Sequence, residues 1–230
     1  MPEAAVRTSV RAVVVSADYD AFDLVEQLPW IEVAGFLDAR SDAGDRAFPN
    51  LSLDDAWPAL KAREPDLKAV LVVDPPKLRR RLASFYGLGN LLTVTAPDAF
   101  VSPHAEIGHG SFVQRGVMIG RNAVVGNACK LNCGAALHHD VRLGDFTTVA
   151  PGARLLGNVR IGEGCYIGAA AVVLPRRIIG DGATIGAGAV VTHDVPDGAV
   201  VVGVPARLRP APEESATEPS HPVRFPQGSR

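Results

Sequence analysis

The chain has 230 residues, 47% hydrophobic and 21% charged, with a formal net charge of −2. That length suits one large or two small domains. The charge balance offers no basic footprint for nucleic acid and no polybasic membrane anchor, and no apolar run is long enough to span a bilayer.

The opening segment MPEAAVRTSVRAVVV has a short apolar stretch with no small-residue cleavage site after it, which predicts no secretion signal. The three cysteines, Cys129, Cys133 and Cys165, are odd in number and form no CxxC pattern. A disulfide framework is therefore not expected, and a reducing, cytoplasmic setting is. In chain order, RAVVVSA reads as a buried strand, DAFDLVEQL as a short helix and IEVAGFLDA as a second strand. Residues 53–90 continue as helix, strand, helix. Strands alternating with helices predict a small parallel α/β domain, over residues 1–97, whose ligands bind beyond the C-terminal strand ends. Here those ends are the loop from Ser16 through Ala17 and Asp18 to Asp20, and the segment Asp38–Ala39–Arg40. No GxGxxG follows the first strand, so a dinucleotide role has no support.

From Val101 the pattern changes. Every sixth residue through Val191 is aliphatic, sixteen times in phase. Four positions after each stands a small or modest side chain, Arg177 being the one break, and glycine often follows the aliphatic residue. Neither a 3.6-residue nor a two-residue period gives this spacing. It is the hexapeptide β-helix repeat: a short strand and a turn per hexad, three hexads per triangular coil. Sixteen hexads make a little over five coils. The aliphatic residues fill the prism, the small residues fit where it narrows, and glycine is expected to free the corners. The prism is assigned to 98–209. Residues 210–230, rich in Pro, Ser and Glu, read as a disordered tail.

Within the prism, LNCGAALHHDVRLGD (131–145) carries the chemistry. Leu131, Leu137 and Leu143 point inward, which turns His138, His139 and Asp140 toward a corner. Acyl transfer to an amine needs a base to take a proton, and imidazole titrates near neutral pH. A carboxylate on the far ring nitrogen fixes the tautomer and stabilises the imidazolium. An acyl-enzyme through Cys133, one hexad before His139, is the rival route. It requires a stabilised thiolate.

Together the segments VAGFLDAR, FVSPHAEIGHGSFV, NCGAALHHD, VAPGARLLGNVRIGEGCYIG and VVGVPAR resemble the sialic acid O-acetyltransferase (NeuD) type of bacterial sugar acyltransferase. That group includes N-acetyltransferases acting on nucleotide-linked 4-amino-sugars, of the bacillosamine and perosamine kind. The resemblance spans roughly residues 10 to 208. It implies a left-handed prism, a homotrimer with active sites between subunits, and acetyl-CoA as co-substrate without a metal. It further implies that His139 is the general base, Asp140 its partner and Asn132 a neighbour of the acceptor group. Coenzyme contacts would fall at Thr148, Gly157, Ala169 and Ala187, with Gly157 also supplying an oxyanion donor. The nucleotide-sugar would lie against Ser16, Ala17, Asp18, Asp38 and Ala39. Two features depart from the family pattern: SADYDAF replaces a glycine-rich turn with histidine after the first strand, and Thr148 stands where some relatives carry a second histidine. Two other functions stay open at this point. One is O-acetylation of a sugar hydroxyl, which the same base would serve. The other is a zinc hydration enzyme like the γ-type carbonic anhydrases, built from His104, His109, His138 and His139.

Overall fold

A computed structural model of the chain describes residues 9–16, 18–38, 49–51 and 54–209. Ala17, Ala39, Arg40 and the segment 210–230 lie outside the described residues.

The N-terminal part is a three-stranded parallel sheet in the order β2-β1-β3, with β1 at Val10–Val15, β2 at Ile31–Leu37 and β3 at Lys68–Leu71. Both faces of a parallel sheet are covered, so its central strand is apolar throughout. Accordingly Ala12 and Val14 face one core, Val13 and Val15 the other. Helix α1 (Tyr19–Val25) covers the first face with Phe22, Leu24 and Val25. Helices α2 (Trp57–Arg63) and α3 (Pro76–Tyr86) cover the second with Trp57, Leu82 and Tyr86. Asp18 caps α1, its side chain accepting the Ala21 N–H at 3.1 Å.

The rest is a left-handed parallel β-helix. Two-residue strands recur every six residues and pair with the strand eighteen residues on, as Lys130 with Thr148, Ala136 with Arg154 and Arg142 with Arg160. Three sheets result, here called the first (containing Lys130–Leu131), second (Ala136–Leu137) and third (Arg142–Leu143) faces. The aliphatic ladder and the small residues four positions later form one continuous core. From Ser111 to Val195 those small residues are buried, apart from Arg177, which turns out to meet Asp194 at 3.3 Å.

Glycine's role at the corners differs from expectation. From Ile107 to Ile185, positive φ falls three positions after the aliphatic residue, at Asn122, Asp140, Asn158 and Gly134 among others. The glycines that directly follow the aliphatic residues have ordinary φ and serve clearance instead: a Cβ on Gly144 would lie 2.6 Å from backbone atoms of Gly162 in the next coil.

The α/β unit packs on the first face. Phe112 enters the core under α1, and Ala128 enters the core under α2 and α3. Arg79 of α3, fully buried, crosses the junction: Nε donates to Ala128 O at 2.6 Å and one terminal nitrogen to Phe146 O at 2.6 Å and Thr148 Oγ at 2.8 Å. Its other terminal nitrogen holds Val73 O at 2.7 Å and Asp74 O at 3.0 Å. Burial pushes its pKa down to about 10, which leaves it charged at neutral pH.

Candidate active site

The corner between the second and third faces carries Arg121, His139, Gly157, Pro175 and His193 in successive coils. His139 is 61% exposed by side chain, and its Nδ1 lies 2.9 Å from Asp140 Oδ2. Adjacent residues meet because Asp140 is in the left-handed region, φ 60°, which reverses the chain between them; Asp tolerates that region better than most residues. Asn122, one coil earlier, donates to Asp140 Oδ1 at 3.1 Å. The hydrogen bond from His139, then that from Asn122, hold the Asp140 carboxyl below its usual pKa. An anion fixed on Nδ1 selects the tautomer with Nε2 free to accept a proton.

Gly157 lies directly beneath that ring. A Cβ there would sit 2.5 Å from His139 Cε1 and Nε2, so only glycine leaves the imidazole its place. The neighbouring corner shows what this one omits. There a side chain of the next coil accepts the corner N–H at several levels: Asn127 N–H to Asp145 at 2.7 Å, Glu163 N–H to Asp181 at 2.8 Å, Asp181 N–H to Asp197 at 2.9 Å. The residue that would do this for Gly157 is Pro175, which has no acceptor side chain. Among the described residues nothing accepts the Gly157 N–H. An exposed imidazole and, on the buried glycine beneath it, an unpaired backbone donor thus share one corner.

The other expected site residues fall elsewhere. Asn132 is 7% exposed at the corner between the first and second faces. Cys133, beside it, is exposed, with Sγ 3.3 Å from Gln114 Oε1. One hexad is a third of a coil, so Cys133 and His139 occupy different corners of the same chain. Ala169 and Ala187 are exposed at the Cys133 corner, away from Gly157. Thr148 is wholly buried, its hydroxyl donating to Asp74 O at 2.6 Å and accepting from Arg79. It belongs to the domain junction; a hydroxyl so enclosed has no face left for a thioester. Ser16 and Asp38 stand together at the strand ends, Oγ to Oδ2 3.4 Å. Asp18 is taken up by its helix cap and by Lys130 Nζ at 2.9 Å.

Sequence reasoning missed the cluster around Lys130. This side chain is 2% exposed and also donates to Val72 O at 2.6 Å, with Asp74 Oδ1 at 3.3 Å. The strand order β2-β1-β3 puts the sheet's topological switch between the loops after β1 and β3. Lys130 of the prism fills that crevice, bonding Asp18 on one side and Val72 and Asp74 on the other. Asn122 was missed as well, although its spacing of eighteen from Asp140 was a usable signal.

Among the described residues, no group of three His, Cys, Asp or Glu is placed to hold a metal, and no helix is long and apolar enough to cross a membrane. His104 and His109 stand on different corners of the first coil.

A hexapeptide prism with a carboxylate-held imidazole over an unpaired glycine N–H is the framework of an acyltransferase. A family model for bacterial transferase hexapeptide (six repeats) matches residues 158–193. The acetyltransferase domain of PglB from Neisseria gonorrhoeae FA1090, solved with acetyl coenzyme A, is 32% identical over 87% of this chain and 100% of that one, with a TM-score of 0.81. PerB from Caulobacter crescentus, solved with CoA and GDP-perosamine, is 30% identical over 86% of this chain and 97% of that one, TM-score 0.80. WeeI from Acinetobacter baumannii AYE is 29% identical over 88% and 100%, TM-score 0.77. No curated protein sequence matches the chain significantly. The chain belongs to the NeuD-type family of hexapeptide-repeat sugar acyltransferases, and it is an acyltransferase.

Proposed function

We propose that the protein transfers the acetyl group of acetyl-CoA directly to the amino group of a nucleotide-linked amino-sugar, with His139 as general base. The observation that carries this reading is the His139–Asp140 pair over the unpaired Gly157 N–H. The family supports the rest: one relative was solved with acetyl coenzyme A, another with CoA and GDP-perosamine.

In this mechanism the neutral amine attacks the thioester carbon while His139 Nε2 takes a proton from the nitrogen. The N–C bond forms, and the carbonyl oxygen becomes an oxyanion facing the Gly157 N–H. Asp140 stabilises the imidazolium. Collapse breaks the C–S bond, and the departing sulfur takes the proton back from His139, giving the amide and free CoA thiol. No acyl-enzyme is needed. Cys133 stands on another corner, and full activity of Cys133→Ser would fit this route.

The site is composite. Asn132 and the α/β strand ends, where the nucleotide-sugar would lie, flank one corner, and His139 and Gly157 occupy another. A neighbouring copy in a homotrimer brings the two corners face to face, and a coenzyme in that groove would meet Gly157 of one chain and Ala169 and Ala187 of the next.

A panel of nucleotide-linked amino-sugars with acetyl-CoA, scored by thiol release, tests the reading. His139→Ala should lower kcat by roughly 10²–10⁴-fold. Near-normal turnover by that variant would sink the base assignment, and turnover of hydroxyl acceptors alone would move the reaction to O-acetylation.

A further inference from the structure

We propose that Asp74, with Asn132, recognises the acceptor's nitrogen and makes the enzyme selective for an amine over a hydroxyl. This rests on the acetyl-transfer reading above and concerns a residue that reading does not use.

The argument begins with how the Asn132 amide is turned. Its Nδ2 lies 3.3 Å from Asp74 Oδ1 and 3.3 Å from Val149 O. Both neighbours are acceptors only, so the NH₂ end must face them. The carbonyl end then points the other way. Among the described residues nothing donates to Asn132 Oδ1, and no buried side-chain oxygen is left without a partner, so Oδ1 opens to solvent.

Asp74 is fixed in the same network. Its backbone carbonyl accepts from Arg79 at 3.0 Å and from Thr148 at 2.6 Å. Its Oδ1 faces Lys130 Nζ and Asn132. The side chain is nonetheless 51% exposed, and Oδ2 has no donor among the described residues. Asp18, the other partner of Lys130, has no such spare oxygen: Oδ1 caps α1 and Oδ2 takes the ammonium.

The outcome is a half-exposed carboxylate oxygen, Asp74 Oδ2, with no donor among the described residues, on a side chain held through Oδ1 by Asn132 and Lys130 at the switch point of the sheet. A primary amine has two N–H groups. Donating one to Asp74 Oδ2 leaves the other facing His139 Nε2 and the lone pair directed at the thioester. A hydroxyl has a single O–H, so either Asp74 Oδ2 or the base is left facing an oxygen lone pair. A site built to bind N–H rejects the ligand lacking it, because its own polar groups go unpaired.

The test is Asp74→Asn, assayed with GDP-perosamine and with other nucleotide-linked 4-amino-sugars, each beside its 4-hydroxy counterpart. An amide at 74 keeps the shape but can turn its NH₂ outward. The expected result is a fall of about 10- to 100-fold in kcat/KM for the amine, the size of a lost charge-assisted hydrogen bond. KM for acetyl-CoA should not change, and the ratio of amine to hydroxyl turnover should drop. Asp18→Asn separates structure from recognition: it also weakens the Lys130 anchorage, so it should lower the melting temperature and leave the amine-to-hydroxyl ratio in place. Wild-type turnover of an amine with an unaltered ratio in Asp74→Asn overturns this inference alone. Equal loss of the ratio in Asp18→Asn overturns it too, since a general loosening would then suffice. No amine turnover by the wild type would overturn the proposed function and this inference with it.

Discussion

At the scale of single residues, the His139–Asp140 contact depends on a backbone bend. With φ at 60°, Asp140 turns its carboxylate back onto the preceding ring, and Asn122 steadies it from the coil below. The pattern of histidine before an acid was legible in the sequence; the bend was not, because the hexad frame gives phase and not φ. The depressed Asp140 pKa has a definite sign. A carboxyl whose folded pKa lies below its unfolded one contributes above the unfolded value and loses that contribution only as pH falls through the folded one. Asp140 therefore stays ionised across the whole range where imidazoles titrate. A profile of kcat/KM against pH should show a single acid limb from the base and none from the carboxylate. Asp140→Asn removes the anion that favours the imidazolium, so the limb should move to lower pH, with kcat reduced roughly 10- to 100-fold. An unmoved limb would show that the pair does not act as one unit.

At the scale of the repeat, the six-residue phase revealed which side chains point inward, and the burial of the ladder from Val113 onward follows it. It could not reveal which of three outward faces would be covered. Thr148 and Lys130 occupy outward strand positions, yet both are buried, because the α/β unit lies on the first face. Lys130 meets Asp18 across 112 residues of sequence, and Arg79 meets Thr148 across 69. Contacts of that separation depend on how two units dock, which no local period encodes. The glycines after the aliphatic residues were visible, but their reason was not: clearance between coils, seen only once coils are stacked. Gly144→Ala tests it. Its Cβ would press on Gly162 and Glu163 backbone, which cannot swing aside as a side chain would. Overpacking of this kind costs about 1–3 kcal/mol, and for a protein of this size each kcal/mol lowers Tm by roughly 2–4 °C. Gly89→Ala, with nothing within 4 Å of its Cβ, is the control and should melt as the wild type does. Equal melting of the two variants would refute the clearance argument.

At the scale of the molecule, the arrangement of corners constrains how the reaction is assembled. One chain holds His139, the proposed base, at one corner and Asn132 and Asp74, the proposed acceptor-side residues, at another, with the second face of the prism between them. Side chains on opposite edges of a face cannot converge on one reacting bond. The proposed cyclic trimer would resolve this through a repeated heterologous contact, each chain lending its base corner to one neighbour and its acceptor corner to the other. Such a site can be rebuilt from two defective chains. His139→Ala retains an intact acceptor corner, and Asn132→Ala retains an intact base corner. Each alone should be nearly inactive. Unfolded and refolded together in equal amounts, they should form mixed trimers in which about a quarter of the sites pair two undamaged corners, if chains assort at random. Activity should recover to about that fraction of wild type. Refolding the two separately before mixing should restore nothing until subunits exchange. A site contained within one chain predicts no recovery in either protocol, because every chain carries a lesion; failure of the co-refolded mixture would thus return both corners' residues to a single subunit and remove the need for a partner.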